Sequence, residues 1–153
     1  MSEVSVTWTV NDDESAVTGT SGCDPVSITS DTTGTGTTLT CEATSDGGTD
    51  SKSVTIQRDT TAPALAPTVS PNPVPLNGSA TASPNASDAT SGIAVAGCDP
   101  LDTSSVGGHS VACTATDNAG NTANAAAGYT VFYCFAGFFS PVDPSVLNSA
   151  KAG

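Results

Sequence analysis

Short stretches of alternating apolar and polar residues dominate the chain. Val4-Ser5-Val6-Thr7-Trp8-Thr9-Val10 alternates with a period of two, and Thr37 to Ala43 and Ser53 to Gln57 do so again. Ala80 to Ala82, Gly108 to Thr116 and Ala126 to Phe132 follow the same rule. A period of two sends successive side chains to opposite faces of an extended chain, so each stretch predicts a strand with one face turned inward. Clusters of Gly, Asp, Asn and Pro separate the stretches and supply turns. No stretch carries apolar residues at helical spacing. The uncharged run from Ala123 to Phe139 is long enough to weigh as a membrane helix. It contains Asn124, Gly128, Thr130 and Gly137, however, and its clearest part, Tyr129 to Phe135, is strand-like. Regularly spaced short strands without helices predict an all-β chain built as a β-sandwich.

The chain also matches itself. Gly22-Cys23-Asp24-Pro25 returns as Gly97-Cys98-Asp99-Pro100, and Cys41-Glu42-Ala43-Thr44 returns as Cys113-Thr114-Ala115-Thr116. Ser15-Ala16-Val17 aligns with Ser91-Gly92-Ile93, and Asp46-Gly47-Gly48 lies opposite Asn118-Ala119-Gly120. The offset runs from 72 residues (Cys41 to Cys113) to 76 (Ser15 to Ser91), as expected for one module written twice with small loop changes. Arg58-Asp59-Thr60-Thr61-Ala62-Pro63 joins the copies, and prolines follow at 67, 71, 73 and 75. Proline cannot donate to a central ladder, so this stretch predicts an extended linker leading into an edge strand, Ala66 to Val74. The first copy has no counterpart of that segment. The expected division is a first module over 1–58 that lacks its leading strand and is cut on its N-terminal side, a linker over 59–65, a second module over 66–133, and a tail over 134–153.

Modules of this size bury only roughly 60% of the surface their unfolded chains expose, and commonly need a staple. Five cysteines are available. Cys23 with Cys41, and Cys98 with Cys113, have equivalent spacing in the two copies, so pairing within each repeat is the simplest connectivity. Each loop closed in this way removes about 3 kcal/mol of unfolded-state entropy. Metal ligation would need C-x-x-C spacing or several histidines, and neither occurs. Disulfides imply an oxidising compartment. Cys134 has no copy; its strand position predicts a free, mostly buried thiol.

Charge narrows the partners. The net charge is −12, and the cationic side chains are Lys52, Arg58 and Lys151. No basic patch for nucleic acid or for an anionic membrane can be assembled from them. Strong acidity suits cation binding instead. Acids gather at turns: Asp12, Asp13 and Glu14 in one loop, Asp88 in the matching loop, Asp117 with Asn118 and Asn121 in a hairpin turn, and Asp59 in the linker. Such residues also cap their own turns. His109 stands alone after Gly107-Gly108, without a G-x-S-x-G or H-E-x-x-H motif, and is expected in an exposed turn. Trp8 sits in an alternating strand and is expected in the core rather than as a sugar platform. Asn77-Gly78-Ser79 and Asn85-Ala86-Ser87 fit the glycosylation sequon.

The run from Asp59 to Pro63, Ser91-Gly92, Gly97-Cys98 and Cys113-Thr114-Ala115-Thr116-Asp117-Asn118-Ala119-Gly120-Asn121 resembles tandem bacterial immunoglobulin-like and hyalin-repeat modules of secreted and surface proteins. The similarity covers most of Val4 to Val131, and Cys113 to Asn121 is its most specific part. The first copy departs from it, with Ser45 and Thr49 where the second has Asp117 and Asn121. The tail from Tyr133 to Gly153 resembles the start of a further small bacterial module, named for a downstream Pro-x-Lys-Phe motif that the chain does not reach. The resemblance implies immunoglobulin-like sandwiches, an excerpt from a longer surface protein, and no catalytic activity. It also implies that calcium can bind at the junction of modules, through Asp59, Asp88, Asp117, Asn118 and Asn121. The expected function is a non-enzymatic spacer or adhesion segment of a secreted or cell-surface bacterial protein. Its partner would be a surface protein or glycan, and it would require no cofactor beyond possible Ca2+. The alternatives are a carbohydrate- or protein-binding module, or an accessory region of an extracellular enzyme.

Overall fold

The computed structural model describes residues 3–135 and residue 137, and every regular element among them is a strand. The tail expected to open a further module lies, beyond its first residues, outside the described residues. The first repeat holds β1 (Val4–Val6), β2 (Val17–Ser21), β3 (Val26–Ile28), β4 (Thr37–Ser45) and β5 (Gly48–Ile56). The second holds β6 (Ala64–Leu65), β7 (Thr68–Ser70), β8 (Val74–Pro75), β9 (Thr81–Ser83), β10 (Ala86–Ser87), β11 (Ile93–Cys98), β12 (Gly107–Asp117) and β13 (Thr122–Phe132).

Each repeat combines a larger sheet, built on its two long strands, with smaller pairings. In the first, β2-β4-β5 forms one sheet and β1-β3 the other. In the second, β11-β12-β13-β8 forms the larger sheet, with β7-β9 and β6-β10 as the smaller pairs. Corresponding strands share register. Val17 pairs with Ser45 and Ile93 with Asp117, and the same bulge follows each pairing, before Gly19 and before Val95. All these pairings are antiparallel except β13 with β8, where Val131 meets Val74.

Alternation explains the long strands. In β12, Val111, Cys113, Ala115 and Asp117 are buried, while Ser110, Ala112 and Thr114 are exposed. In β13, Ala127, Tyr129 and Val131 point inward. These side chains and Val74 form the buried core, flanked by Val69, Leu76, Ala80, Ala82, Cys98 and Leu101. Each fully buried aliphatic side chain contributes about 1.5–3 kcal/mol. On the outer face of β4 and β5, hydroxyl pairs bond across the strands: Thr38–Thr55 at 2.9 Å, Thr40–Ser53 at 2.7 Å and Thr44–Thr49 at 2.9 Å.

Both staples form within their repeats, Cys23–Cys41 and Cys98–Cys113. Cys98 and Cys113 are direct neighbours across β11 and β12. The duplicated Gly-Cys-Asp-Pro is less uniform than it reads. Gly22 has φ +69°, and a Cβ there would strike the Thr40 carbonyl oxygen. Gly97 lies in β11 with open space around its Cα, so only the first copy needs glycine.

Several expectations change. Cys134 is exposed rather than buried, because β13 ends at Phe132 and the chain has left the sheet. His109 is not in an exposed turn: it lies in β12, half-buried, with its ring stacked 5.4 Å from that of Tyr129. β1 stops at Val6, so Trp8 lies beyond the strand; it is half-buried, and its indole Nε1 is buried without a partner. Ala64–Leu65, read as linker, pairs with Ala86–Ser87.

Candidate metal centre

The linker between the repeats is held from both sides. From the first repeat, Asp31 Oδ1 accepts from Arg58 Nη1 at 2.9 Å, from Thr60 N at 2.9 Å and from Thr60 Oγ1 at 2.8 Å. Its Oδ2 accepts from Thr61 Oγ1 at 2.7 Å. The Thr61 and Thr60 hydroxyls lead the groups that hold the Asp31 carboxyl below the usual carboxylate range, against some opposition from burial. From the second repeat, Asn121 Nδ2 donates to the backbone oxygens of Asp59 at 3.3 Å and Thr61 at 3.2 Å. The loops also approach each other directly: a Cβ on Gly34 would lie 3.0 Å from the Thr90 carbonyl oxygen.

At this junction three carboxylates converge. One oxygen each from Asp59, Asp88 and Asp117 lies within 4.8 Å of the other two. Asp59 arrives with the linker, Asp88 with the loop after β10, and Asp117 at the end of β12, where the inward side of the alternating strand carries it under the turn. Asp59 is 5% exposed and Asp117 is 2% exposed. Two unit charges this close repel by about 3 kcal/mol or more at an effective dielectric near 20. Among the described residues the cations are engaged elsewhere, Arg58 with Asp31 and Lys52 with Asp50.

The hydrogen bonds divide the oxygens. Asp88 Oδ1 accepts from the N–H groups of Thr90, Ser91 and Gly92 at 3.0, 2.8 and 3.0 Å. Burial pushes the Asp88 pKa up, but these donors outweigh it and hold the carboxyl below its ordinary value. Asp117 accepts from Asn121 twice, from the backbone N–H at Oδ1 and from the side-chain amide at Oδ2, both at 2.8 Å. Asp59 Oδ1 accepts from Thr61 N at 2.9 Å, while its Oδ2 is buried with no hydrogen-bond partner. Three converging carboxylates, one of which keeps a buried oxygen without a partner, are a donor set for a hard cation. Calcium takes oxygens at 2.3–2.6 Å, so ligands of one ion stand up to about 5 Å apart, which the cluster satisfies.

Of the five expected ligands, the three aspartates converge, and the two asparagines stand at the same junction with their amide nitrogens engaged. Asn118 Nδ2 donates to the Ser91 oxygen at 2.7 Å, and its N–H to the Gly92 oxygen at 3.0 Å, which ties the hairpin turn to the Asp88 loop. Asn121 clamps the linker to Asp117. Asp31, which anchors the linker to the first repeat, escaped the sequence analysis because it has no counterpart in the second copy. Its one signal was Arg58, the chain's sole arginine, which needed an acidic partner.

The first repeat keeps half of this arrangement. Asp12 Oδ1 accepts from the N–H groups of Glu14 at 2.9 Å and Ser15 at 3.0 Å, as Asp88 does in its loop. Ser45, Glu14 N–H and Ser15 together hold the Asp12 carboxyl well below the usual range. Ser45 occupies the position of Asp117, and no linker acid meets Asp12 among the described residues. Searches found no matching family model, no matching curated protein and no matching solved structure for this chain.

Proposed function

We propose that this chain is a non-enzymatic, disulfide-stapled spacer or adhesion segment of a larger secreted or cell-surface bacterial protein, with its junction fixed by a calcium ion. The observation that carries this reading is the convergence of the Asp59, Asp88 and Asp117 carboxylates, of which Asp59 keeps a buried, unpartnered Oδ2. A linker held by Asp31 on one side and Asn121 on the other is already constrained. A divalent cation would offset the crowding of three carboxylates and lock the linker to the second repeat. Asp59, Asp88 and Asp117 would hold the ion, with Asn118 and Asn121 keeping their loops in place. Two staples in a chain this acidic fit an oxidising, extracellular setting. The mechanism is mechanical: a stiff junction transmits orientation from one repeat to the next.

The test is calorimetric titration with CaCl2 after chelation. One site per chain is expected, lost in Asp59→Asn and retained in Asp12→Asn. At a hundredfold excess over the dissociation constant, one such site stabilises the fold by about 2.7 kcal/mol. Absence of heat and of any melting shift at millimolar calcium would contradict the proposal.

A further inference from the structure

The two repeats are unequal in burial, and the difference falls on one face. The buried apolar residues of the second repeat include Val74, Val111, Ala127, Tyr129 and Val131; in the first, among the described residues, the buried apolar residue is Cys41 alone. Register identifies the counterparts. Leu39 pairs with Val54 as Val111 pairs with Ala127, and Thr37 pairs with Ile56 as His109 pairs with Tyr129. Counting back from Asp12 and Asp88, Val4 and Val6 stand where Ala80 and Ala82 stand. Val4, Val6, Val26, Ile28, Leu39, Val54 and Ile56 are inward-facing by alternation, yet all are only half-buried.

The second repeat shows what closes such a face. β7 pairs along β9, β8 pairs along β13, and together they bring Val69, Val74 and Leu76 into the core. Asn72 bridges the edge of β13: its side chain donates to the Gly128 oxygen at 3.4 Å and accepts from Thr130 N at 3.0 Å. In the first repeat, among the described residues, no strand pairs with the second edge of β1 or with the outer edge of β5. By register, Thr55 O and Gln57 N are the groups that Asn72 would bridge there.

We infer that the first repeat presents a strand-accepting face, whose occupant is an extended, uncharged segment with the chemistry of Thr68–Leu76. The occupant has aliphatic side chains at the positions of Val69, Val74 and Leu76, prolines where no ladder donor is needed, and an amide at the position of Asn72. Absence of charge suits a chain of net charge −12, on which an acidic strand would be repelled. Val4 corresponds to Ala80, so a fused copy that ends at the equivalent of Ser79 meets the strand in register. This inference is independent of calcium.

The experiment places a second copy of residues 64–79 ahead of Val4, in place of residues 1–3. A control fusion carries Val69→Ser, Val74→Ser and Leu76→Ser in the added copy only. Amide exchange of Gln57 and of β1 is read alongside thermal unfolding. The apolar fusion should slow exchange at Gln57 by about tenfold or more and raise the melting point of the first repeat by about 10 °C, while the control does neither. Equal behaviour of the two fusions would overturn the inference. So would Gln57 and β1 amides already protected as strongly as β12 in the unfused chain. Dimerisation of the unfused chain that protects Gln57 would also overturn it, by assigning the face to a second copy.

Discussion

Removing the two staples should have unequal consequences, and the inequality follows from burial. The Cys98–Cys113 bridge spans 15 residues and the Cys23–Cys41 bridge 18. Chain entropy assigns both nearly the same value, about 3 kcal/mol. Replacing Cys98 and Cys113 together by alanine avoids a stray thiol and deletes sulfur from a fully buried position beside Val111 and Ala115. For a small domain, each kcal/mol lowers the melting point by about 4–8 °C, so the second repeat should melt about 12–24 °C lower and still fold. The same pair of substitutions at Cys23 and Cys41 strips the sulfur from Cys41, the one buried apolar residue among the first repeat's described residues, along with the staple. Against a net stability of roughly 5–15 kcal/mol for a whole domain, that repeat should fail to fold. Calorimetry of the two double variants, beside the parent with and without reductant, separates the transitions. A Cys23→Ala, Cys41→Ala variant that melts within about 3 °C of the parent would refute the reasoning, because the entropy term alone predicts more.

Other outcomes follow from single contacts. Tyr129→Phe should cost about 1–2 kcal/mol in chemical denaturation, because the Tyr129 hydroxyl accepts from Asp102 N and donates to Asp102 O, both at 2.9 Å; an unchanged midpoint would exclude that role. The carboxyls of Asp12, Asp31, Asp88 and Asp102 all titrate below the usual range in the folded chain, held by hydrogen bonds. Their stabilising contribution is present above the unfolded value near about 3.9 and is lost as pH falls through the folded values. The melting point should therefore drop below about pH 4, and a steady rise down to pH 2 would contradict the assignment. Cys134, exposed beyond β13, should react with a maleimide at one equivalent per native chain; no labelling without denaturant would place it elsewhere.

How much of this was legible depended on which residues carried a pattern. β4, β12 and β13 alternate because one face of each is turned inward, and the sequence displayed them clearly. β2 is exposed at all five positions, and β11 is exposed at its four central ones, so neither has an apolar period to read. Strong alternation also misled: it runs on to Phe135, whereas the ladder stops at Phe132, which misplaced Cys134. The glycines before His109 signalled a turn, but the sheet already includes Gly107 and Gly108, paired with Val131 and Thr130. Duplication located both staples and paired Asp12 with Asp88. It concealed Asp31, which is not duplicated. Convergence of Asp59 with Asp88 and Asp117 was expected from resemblance alone, since residues separated by 29 and 58 positions carry no local signal of contact.

The central claim, a junction fixed by a cation between two stapled repeats, is tested most directly by an inter-repeat distance distribution. Spin labels at the exposed positions Thr38 and Thr114, with Cys134→Ser to remove the free thiol, report on one repeat each. With calcium a single narrow distribution is expected, and chelation or Asp59→Asn should broaden it. A distribution that is equally broad with and without calcium would contradict the account.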